Sequence, residues 1–158
     1  MNVGQLMTRS VRICEPQDAL NTAAQLMWDN NCGTVAVVAD GKAVGMLTDR
    51  DICMAAYTQG RPLSQIPVST AMSKQLFACH PEDSVMAAEK ILRANKIARL
   101  PVVSGDGHLR GILSLDDIAR EALRERHGKG PVEVTAEEVC ETLGAICERS
   151  APPSGLSA

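Results

Sequence analysis

Three aromatic side chains, Trp28, Tyr57 and Phe77, are all that this 158-residue chain carries. A core built without more of them must be filled by Val, Ile, Leu, Met and Ala. The same scarcity removes the stacking platforms with which single-stranded nucleic-acid binders hold bases. Charge of one sign is also scarce. Sixteen Lys and Arg stand against nineteen Asp and Glu, a net charge of −3, so no basic face is offered to a phosphate backbone and nucleic acid is not an expected partner. There is no long apolar run. The opening MNVGQLMTRS lacks an apolar stretch behind a basic start, and the longest apolar segments are too short to cross a bilayer, so a cytoplasmic protein without membrane association is expected. Histidine is limited to His80, His108 and His127, and the cysteines Cys14, Cys32, Cys53, Cys79, Cys140 and Cys147 contain no Cys-x-x-Cys pair. Without ligand spacing no metal site is expected, and the thiols read as small buried hydrophobes. Gly-x-Ser-x-Gly, a P-loop and a clustered His/Cys/Asp set are all missing, which argues against an enzyme and against a required cofactor.

What is present is a hydrophobic fraction of 45 %, too high for a disordered chain, and an internal duplication. Residues 3–38 lie over 68–103 in one register: Val3 on Val68, Met7 on Met72, Thr8 on Ser73, Cys14 on Cys79, Pro16 on Pro81, Asp18 on Asp83, Asn30 on Asn95. One residue is then inserted in a turn, after which Gly45 meets Gly111, Thr48 meets Ser114 and Asp51 meets Asp117. A repeat of this period is the first organising fact of a sequence.

Each copy reads as β-α-β-β-α. An extended piece (Val11–Cys14; Leu76–Cys79) precedes a proline, which favours extended chain just before it. Apolar spacing predicts a helix over Asp18–Asn30 and Asp83–Asn95. A buried strand (Val35–Val38; Leu100–Val103) turns at Asp40-Gly41 or Gly105-Asp106-Gly107 into a return strand (Val44–Leu47; Leu109–Leu113). A second helix runs from near Asp49 to Tyr57, or from Leu115 to Arg126. One unit is too small to bury its sheet alone, so the two must pack together. The fold class is α/β, with two pseudo-symmetric repeats over 1–62 and 63–126 and a remainder over 127–158. In that remainder Gly128-Lys129-Gly130-Pro131 is a break. Thr135 and Glu138 form a capping box, and a tail helix over about Thr135–Glu148 presents a Val139, Leu143, Ile146 face. Ser150–Ala158 is expected to be disordered.

The chemistry-bearing motif occurs twice, as Gly45-Met-Leu-Thr48-Asp-Arg-Asp51 and Gly111-Ile-Leu-Ser114-Leu-Asp-Asp117. Each lies where a strand gives way to a helix. A carboxylate in the first helical turn can accept two hydrogen bonds from a ribose diol, while the helix N-terminus attracts phosphate. Ser/Thr followed three residues on by an acid is equally an ordinary capping arrangement, and duplication would copy a cap as faithfully as a site.

The repeat order, the Arg99-Leu-Pro-Val-Val strand and the Gly-x-x-Ser/Thr-x-x-Asp endings resemble tandem cystathionine-β-synthase (CBS) domains over about residues 1–126. The resemblance implies two clefts between the repeats that bind adenosine nucleotides, AMP, ADP or ATP, with S-adenosylmethionine as second choice. It implies a first site of Thr48, Asp51 and Arg50 with His80, Val85, Ile97, Ala98 and Arg99, and a second of Ser114 and Asp117 with Glu15, Leu20, Cys32 and Gly33. Arg99 would reach phosphate, so the first site is the one expected to take a phosphorylated ligand, and Asp51 would hold its ribose. It further implies a homodimer, through faces including Met27, Ile52, Ala56, Ile91 and Ile118, and a regulatory role signalled to an effector protein. A structural dimerisation module with vestigial clefts and a cysteine-based redox or metal-responsive protein are the alternatives.

Overall fold

The computed structural model describes residues 1–128 and 130–148; the expected disorder of Ser150–Ala158 lies outside them. The elements are α1 (Val3–Leu6), β1 (Ile13–Cys14), α2 (Leu20–Asp29), β2 (Thr34–Ala39), β3 (Lys42–Thr48), α3 (Asp49–Gln59), α4 (Val85–Asn95), β4 (Arg99–Val103), β5 (Leu109–Ser114), α5 (Leu115–His127) and α6 (Ala136–Cys147). The fold is thus the α/β pair of repeats with a C-terminal helix that the sequence implies. Among the described residues no helix is long and apolar enough to cross a membrane.

The duplication persists in local detail. β1 runs parallel to β2, and β2 antiparallel to β3. In the second copy β4 and β5 pair antiparallel, and Cys79 makes a single parallel bridge to Val102 where β1 would lie. A register shift falls at Val37/Val38 in one hairpin and at the equivalent Val102/Val103 in the other. The first hairpin turns with positive φ at both Asp40 and Gly41, as a tight two-residue turn requires. The helices α2 and α4 start two residues later than their spacing suggests. Asp18 and Asp83 are diverted to the turn before them, where each carboxylate accepts the backbone N–H of the residue three earlier, Glu15 or His80, at 2.7 Å.

The two cores are crossed. One gathers Leu20, Met27, Val35, Val37, Leu47 and Ile52 of the first repeat, but is completed by Ile66 and Val68 from the segment leading into the second. The other gathers Val85, Leu92, Leu100, Val102, Leu113 and Ile118, and is completed by Val3 and Met7 from the start of the chain. Backbone bonds fasten both exchanges. Thr8 and Ile112 trade N–H···O bonds at 2.9 Å, and Ser73 N–H donates to the Met46 carbonyl at 2.8 Å. Met27, Ile52 and Ile118 are 5 %, 6 % and 0 % exposed, which removes them from any intersubunit face. The large exposed apolar side chains on the helices are instead Trp28, Met54, Tyr57, Met86 and Leu123 on α2 to α5, with Leu143 on α6.

The tail helix packs on α4 and α5, but not by the face its apolar residues suggest. Val139 and Ile146 lean on the second core, whereas Leu143 is half exposed and Thr142 is fully buried. The reason lies beneath it. Glu89 on α4 is 1 % exposed, and a buried carboxyl demands a polar partner. The Thr142 hydroxyl supplies one, 3.2 Å from Glu89 Oε1 and 2.8 Å from the Glu138 carbonyl. Ion pairs between Arg93 and Glu141 at 3.0 Å and between Lys96 and Glu148 at 3.2 Å flank the contact.

Candidate functional site

Both Ser/Thr-x-x-Asp motifs fold as capping boxes. At the start of α3 the Thr48 N–H and hydroxyl donate to Asp51 Oδ2 at 2.9 and 2.6 Å, and Asp51 N–H donates back to Thr48 Oγ1 at 3.2 Å. At the start of α5 the Ser114 N–H and hydroxyl donate to Asp117 Oδ2 at 2.9 and 2.5 Å, and Asp117 N–H returns to Ser114 Oγ at 3.2 Å. Capping thus engages one oxygen of each carboxylate and leaves the other outside the cap. The two then differ. Asp117 Oδ1 accepts a bond from Arg120, whereas among the described residues nothing hydrogen-bonds Asp51 Oδ1.

Two clefts open beside these boxes, each facing the helix-to-strand turn of the other repeat. The first, of about 390 Å³, is lined by Thr48 and by Ile97, Ala98 and Arg99, together with Thr34, Met46, Ser73, Gln75, Phe77, Lys96 and Ile146. Asp51 stands behind Thr48, joined to it by the cap. The second, of about 520 Å³, is lined by Ser114, Asp117 and Cys32, together with Thr8, Arg12, Asn30, Asn31, Thr34, Arg99, Ile112, Asp116 and Arg120 among others. Both volumes suit a small organic ligand.

Several residues expected at these sites lie elsewhere. His80 turns its Nδ1 to within 2.8 Å of the Val103 carbonyl, and Val85 is buried in the second core. Arg50 is an exposed residue of the first turn of α3 whose N–H bonds to Asp49 Oδ1 at 2.7 Å. Leu20 is fully buried in the first core. Glu15 is exposed and bonded by Gln17. Gly33 faces Asp49 in a separate groove between α2 and α3. None of these six is part of the lining of either cleft. Arg99 lines both clefts, but its guanidinium bonds to Asp116 at 3.3 Å, at the mouth of the second.

The charge is unequally shared as a result. Arg12, Arg99 and Arg120 all line the second cleft, with Arg12 Nε held by Asn30 Oδ1 at 2.7 Å. Guanidinium groups are the side chains best suited to phosphate oxygens. Arg99, the phosphate contact expected of the first cleft, instead bonds through its guanidinium to Asp116 of the second. Thr8 and Ser73, which reach the clefts from the crossed lead-in segments, escaped the sequence reading. Their mutual alignment in the repeat was the available signal.

Of the six cysteines, read from the sequence as buried, only Cys14 and Cys79 are; Cys32 is half-buried and the other three are at the surface. Burial, reinforced by the Asp18 charge, pushes the Cys14 thiol up to about 11, and burial with the Asp83 charge pushes Cys79 up to about 12. Such thiols are poor nucleophiles and poor ligands. Cys53, Cys140 and Cys147 are exposed. Among the described residues no three His, Cys, Asp or Glu side chains form a metal-holding cluster.

Comparison with known proteins adds the lineage. The model of the CBS domain matches twice, at residues 3–57 and 65–124. The chain is 39 % identical over 118 residues to the CBS domain-containing protein YhcV of Bacillus subtilis, covering 75 % of this chain and 83 % of that one. It superposes on CBSX2, solved in complex with AMP, with a TM-score of 0.71 and 25 % identity over 80 % of this chain and 98 % of the other. The CBS domain pair of protein MJ0100, solved with 5′-methylthioadenosine and S-adenosyl-L-methionine, shares the fold with a TM-score of 0.70 at 20 % identity, covering 81 % of this chain and 98 % of that one.

Proposed function

Because the chain belongs to the CBS domain family, with two copies in tandem, we propose that it is a non-catalytic regulatory module that binds adenosine nucleotides between its repeats and passes the bound state to a partner protein. The observation that carries this is the second cleft. A hydroxyl–carboxylate box, Ser114 with Asp117, lines it together with Arg12, Arg99 and Arg120, so that oxygen and guanidinium groups suited to a sugar and a phosphate stand within one cavity. AMP, ADP and ATP are the ligands this chemistry fits. The AMP bound by CBSX2, a relative of the same fold, supports the choice of base. S-adenosylmethionine, which lacks phosphate, makes less use of the arginines.

Titration calorimetry with AMP, ADP, ATP and S-adenosylmethionine tests this, on protein shown by mass spectrometry to carry no bound ligand. A charged hydrogen bond contributes about 1.5–3 kcal/mol. Arg12→Ala is therefore expected to weaken ATP about ten- to a hundred-fold and adenosine far less. Absence of heat with all four compounds overturns the proposal.

A second reading has one observation in its favour. Both boxes already work as caps, and Asp117 is already tied to Arg120, so the clefts could be remnants in a module whose work is dimerisation. Trp28 and Tyr57, more than four-fifths exposed, lie on α2 and α3 where a second copy would cover them. A homodimer is part of both readings, and sedimentation tests it; a monomer at micromolar concentration removes it from both.

A further inference from the structure

The tail helix shows what the helical face of a repeat can hold. On the second repeat α6 lies across α4 and α5. Three polar contacts seat it there: Thr142 on Glu89, Glu141 on Arg93 and Glu148 on Lys96. The repeat register carries Glu89, Arg93 and Lys96 to Ala24, Trp28 and Asn31 of the first repeat. Those three residues line a single groove of about 410 Å³ between α2 and α3, together with Cys32, Asp49 and Ile52. The correspondence extends to the backbone, since Asn31 and Lys96 leave their helices with positive φ, 48° and 52°. The groove stands open, and Trp28 in its lining is 83 % exposed.

We propose that this groove is the docking site for a cationic amphipathic helix of the partner protein, seated as α6 is seated on the second repeat. The inference rests on the regulatory reading above and names its partner by chemistry. The α6 site supplies the geometry, and the exchanges at its three anchors set the difference. Ala24 in place of Glu89 removes the buried carboxyl, so an apolar side chain fits where α6 must bring Thr142. Trp28 in place of Arg93 removes a cation and presents a ring face on which a Lys or Arg is favoured. Asn31 in place of Lys96 removes the other cation. Asp49 is the one charged side chain of the lining, and Arg50 beside it lies outside. Two cations in the second groove meet the acidic α6; an acid without cations in the first meets the opposite sign. The helix comes from a different protein, because α2 to α5 turn their buried residues into the two cores and α6 is already seated. Met54 and Tyr57 of α3 lie outside the lining and remain for a second copy. The groove also adjoins the second cleft, since Asn31 and Cys32 line both. A helix bound there therefore touches the residues that the ligand touches, which gives the bound state a path to the partner.

The test uses the full chain and two synthetic peptides spanning residues 134–148. Each has Ser in place of Cys147 and is held helical by a covalent staple between positions 140 and 144, which α6 exposes. One otherwise keeps the acidic sequence. The other carries Glu141→Lys, Thr142→Leu and Glu148→Lys. Trp28 is the only tryptophan of the chain and neither peptide contains one, so its emission reports on the groove. The cationic peptide is expected to shift that emission to the blue, saturably, and less strongly at high salt. It should bind about ten-fold more tightly than the acidic peptide, the scale of two surface charge contacts. Trp28→Arg combined with Asn31→Lys, both at exposed positions, gives the first groove the cations of the second, and calorimetry should then find the preference reversed. No shift and no heat with the cationic peptide, equal affinity for the two peptides, or an unchanged preference in the double variant would each overturn the inference. So would sedimentation of a wild-type dimer that Trp28→Arg dissociates, because a second copy then fills the groove. Heat from ATP alongside a silent cationic peptide overturns this inference alone, whereas silence from both overturns the regulatory reading as well.

Discussion

Replacing Gly111 with alanine probes the crossed architecture at its tightest point. Gly111 is buried in β5, paired with Val102, and the lead-in segment of the first repeat passes directly over it. A Cβ there would stand 2.8 Å from the Thr8 carbonyl oxygen and 2.8 Å from Met7 Sδ. The methionine can move, but the carbonyl cannot retreat freely, because it accepts the Ile112 N–H at 2.9 Å. Overpacking of this kind costs about 1–3 kcal/mol. Weakening the paired Thr8–Ile112 bonds adds about 0.5–1.5 kcal/mol for each bond lost. The stiffer unfolded chain returns about 0.4–1 kcal/mol. The net expectation is a loss of about 2 kcal/mol, or about 4–8 °C in melting temperature for a chain of this size. Gly45 is the internal control, since it holds the same place in the first repeat. Its Cβ would meet Met72 Sδ at 3.1 Å and the Ser73 carbonyl oxygen at 3.2 Å, distances that a shift of a few tenths of an ångström relieves. Gly45→Ala should therefore cost about 1 kcal/mol or less. Urea unfolding at one fixed protein concentration, with midpoints and slopes compared, measures both. A Gly111→Ala variant as stable as wild type, or less affected than Gly45→Ala, would refute the reasoning.

Three further outcomes are expected. Asp51→Asn keeps an acceptor for the Thr48 cap and should weaken ribose binding in the first cleft with little loss of stability, whereas Asp51→Ala should also lose about 1 kcal/mol of capping; equal melting of the two variants would show that the cap contributes nothing. Burial raises the Glu89 carboxyl above its ordinary 4.5, with Glu138 and Glu141 reinforcing the shift and Thr142 and Arg93 opposing it. Its protonated form therefore favours the folded state, and the stability tied to it is full below about pH 4.5 and is lost as pH rises through the raised value. Thermal melts of wild type and Glu89→Gln should accordingly diverge as pH rises, with Gln the more stable at neutral pH; parallel curves would refute this. Under native conditions a thiol reagent should label the exposed Cys53, Cys140 and Cys147 well before Cys14 and Cys79, whose thiols are raised to about 11 and about 12; early labelling of either buried thiol, read by mass spectrometry, would contradict the burial argument.

The repeat made the fold legible because strand and helix periods, turn residues and the one-residue slip all recur in register. Thr48, Asp51, Ser114 and Asp117 were legible for the same reason, as matched residues at matched strand ends. What the register conceals is partnership. It aligns Val3 with Val68 without saying that each packs on the other's repeat, so Thr8 and Ser73 went unassigned as cleft residues. His80, Val85, Glu15 and Leu20 precede or open helices, and their placement depends on local closure. His80 bonds to the Val103 carbonyl, and Leu20 and Val85 face the two cores. The tail helix misled through its apolar residues. A spacing argument weighs Leu143 above Thr142 and has no access to Glu89, fifty-three residues earlier, which needs a hydroxyl above it.

The exchange of lead-in segments has a consequence for descent as well as for stability. A single repeat severed from its neighbour would keep its own helices and strands and lose the piece that seals them, since Ile66 and Val68 seal the first core and Val3 and Met7 the second. An ancestral half-length chain could have closed only by lending its first residues to another molecule and borrowing that molecule's in return. Gene duplication then turned a loan between two chains into a clasp within one, with residues 60–65 as the strap. Lengthening that strap should be tolerated, because it ties together parts already interlocked. Cutting it should leave two fragments that still hold each other, each carrying the key to the other's core.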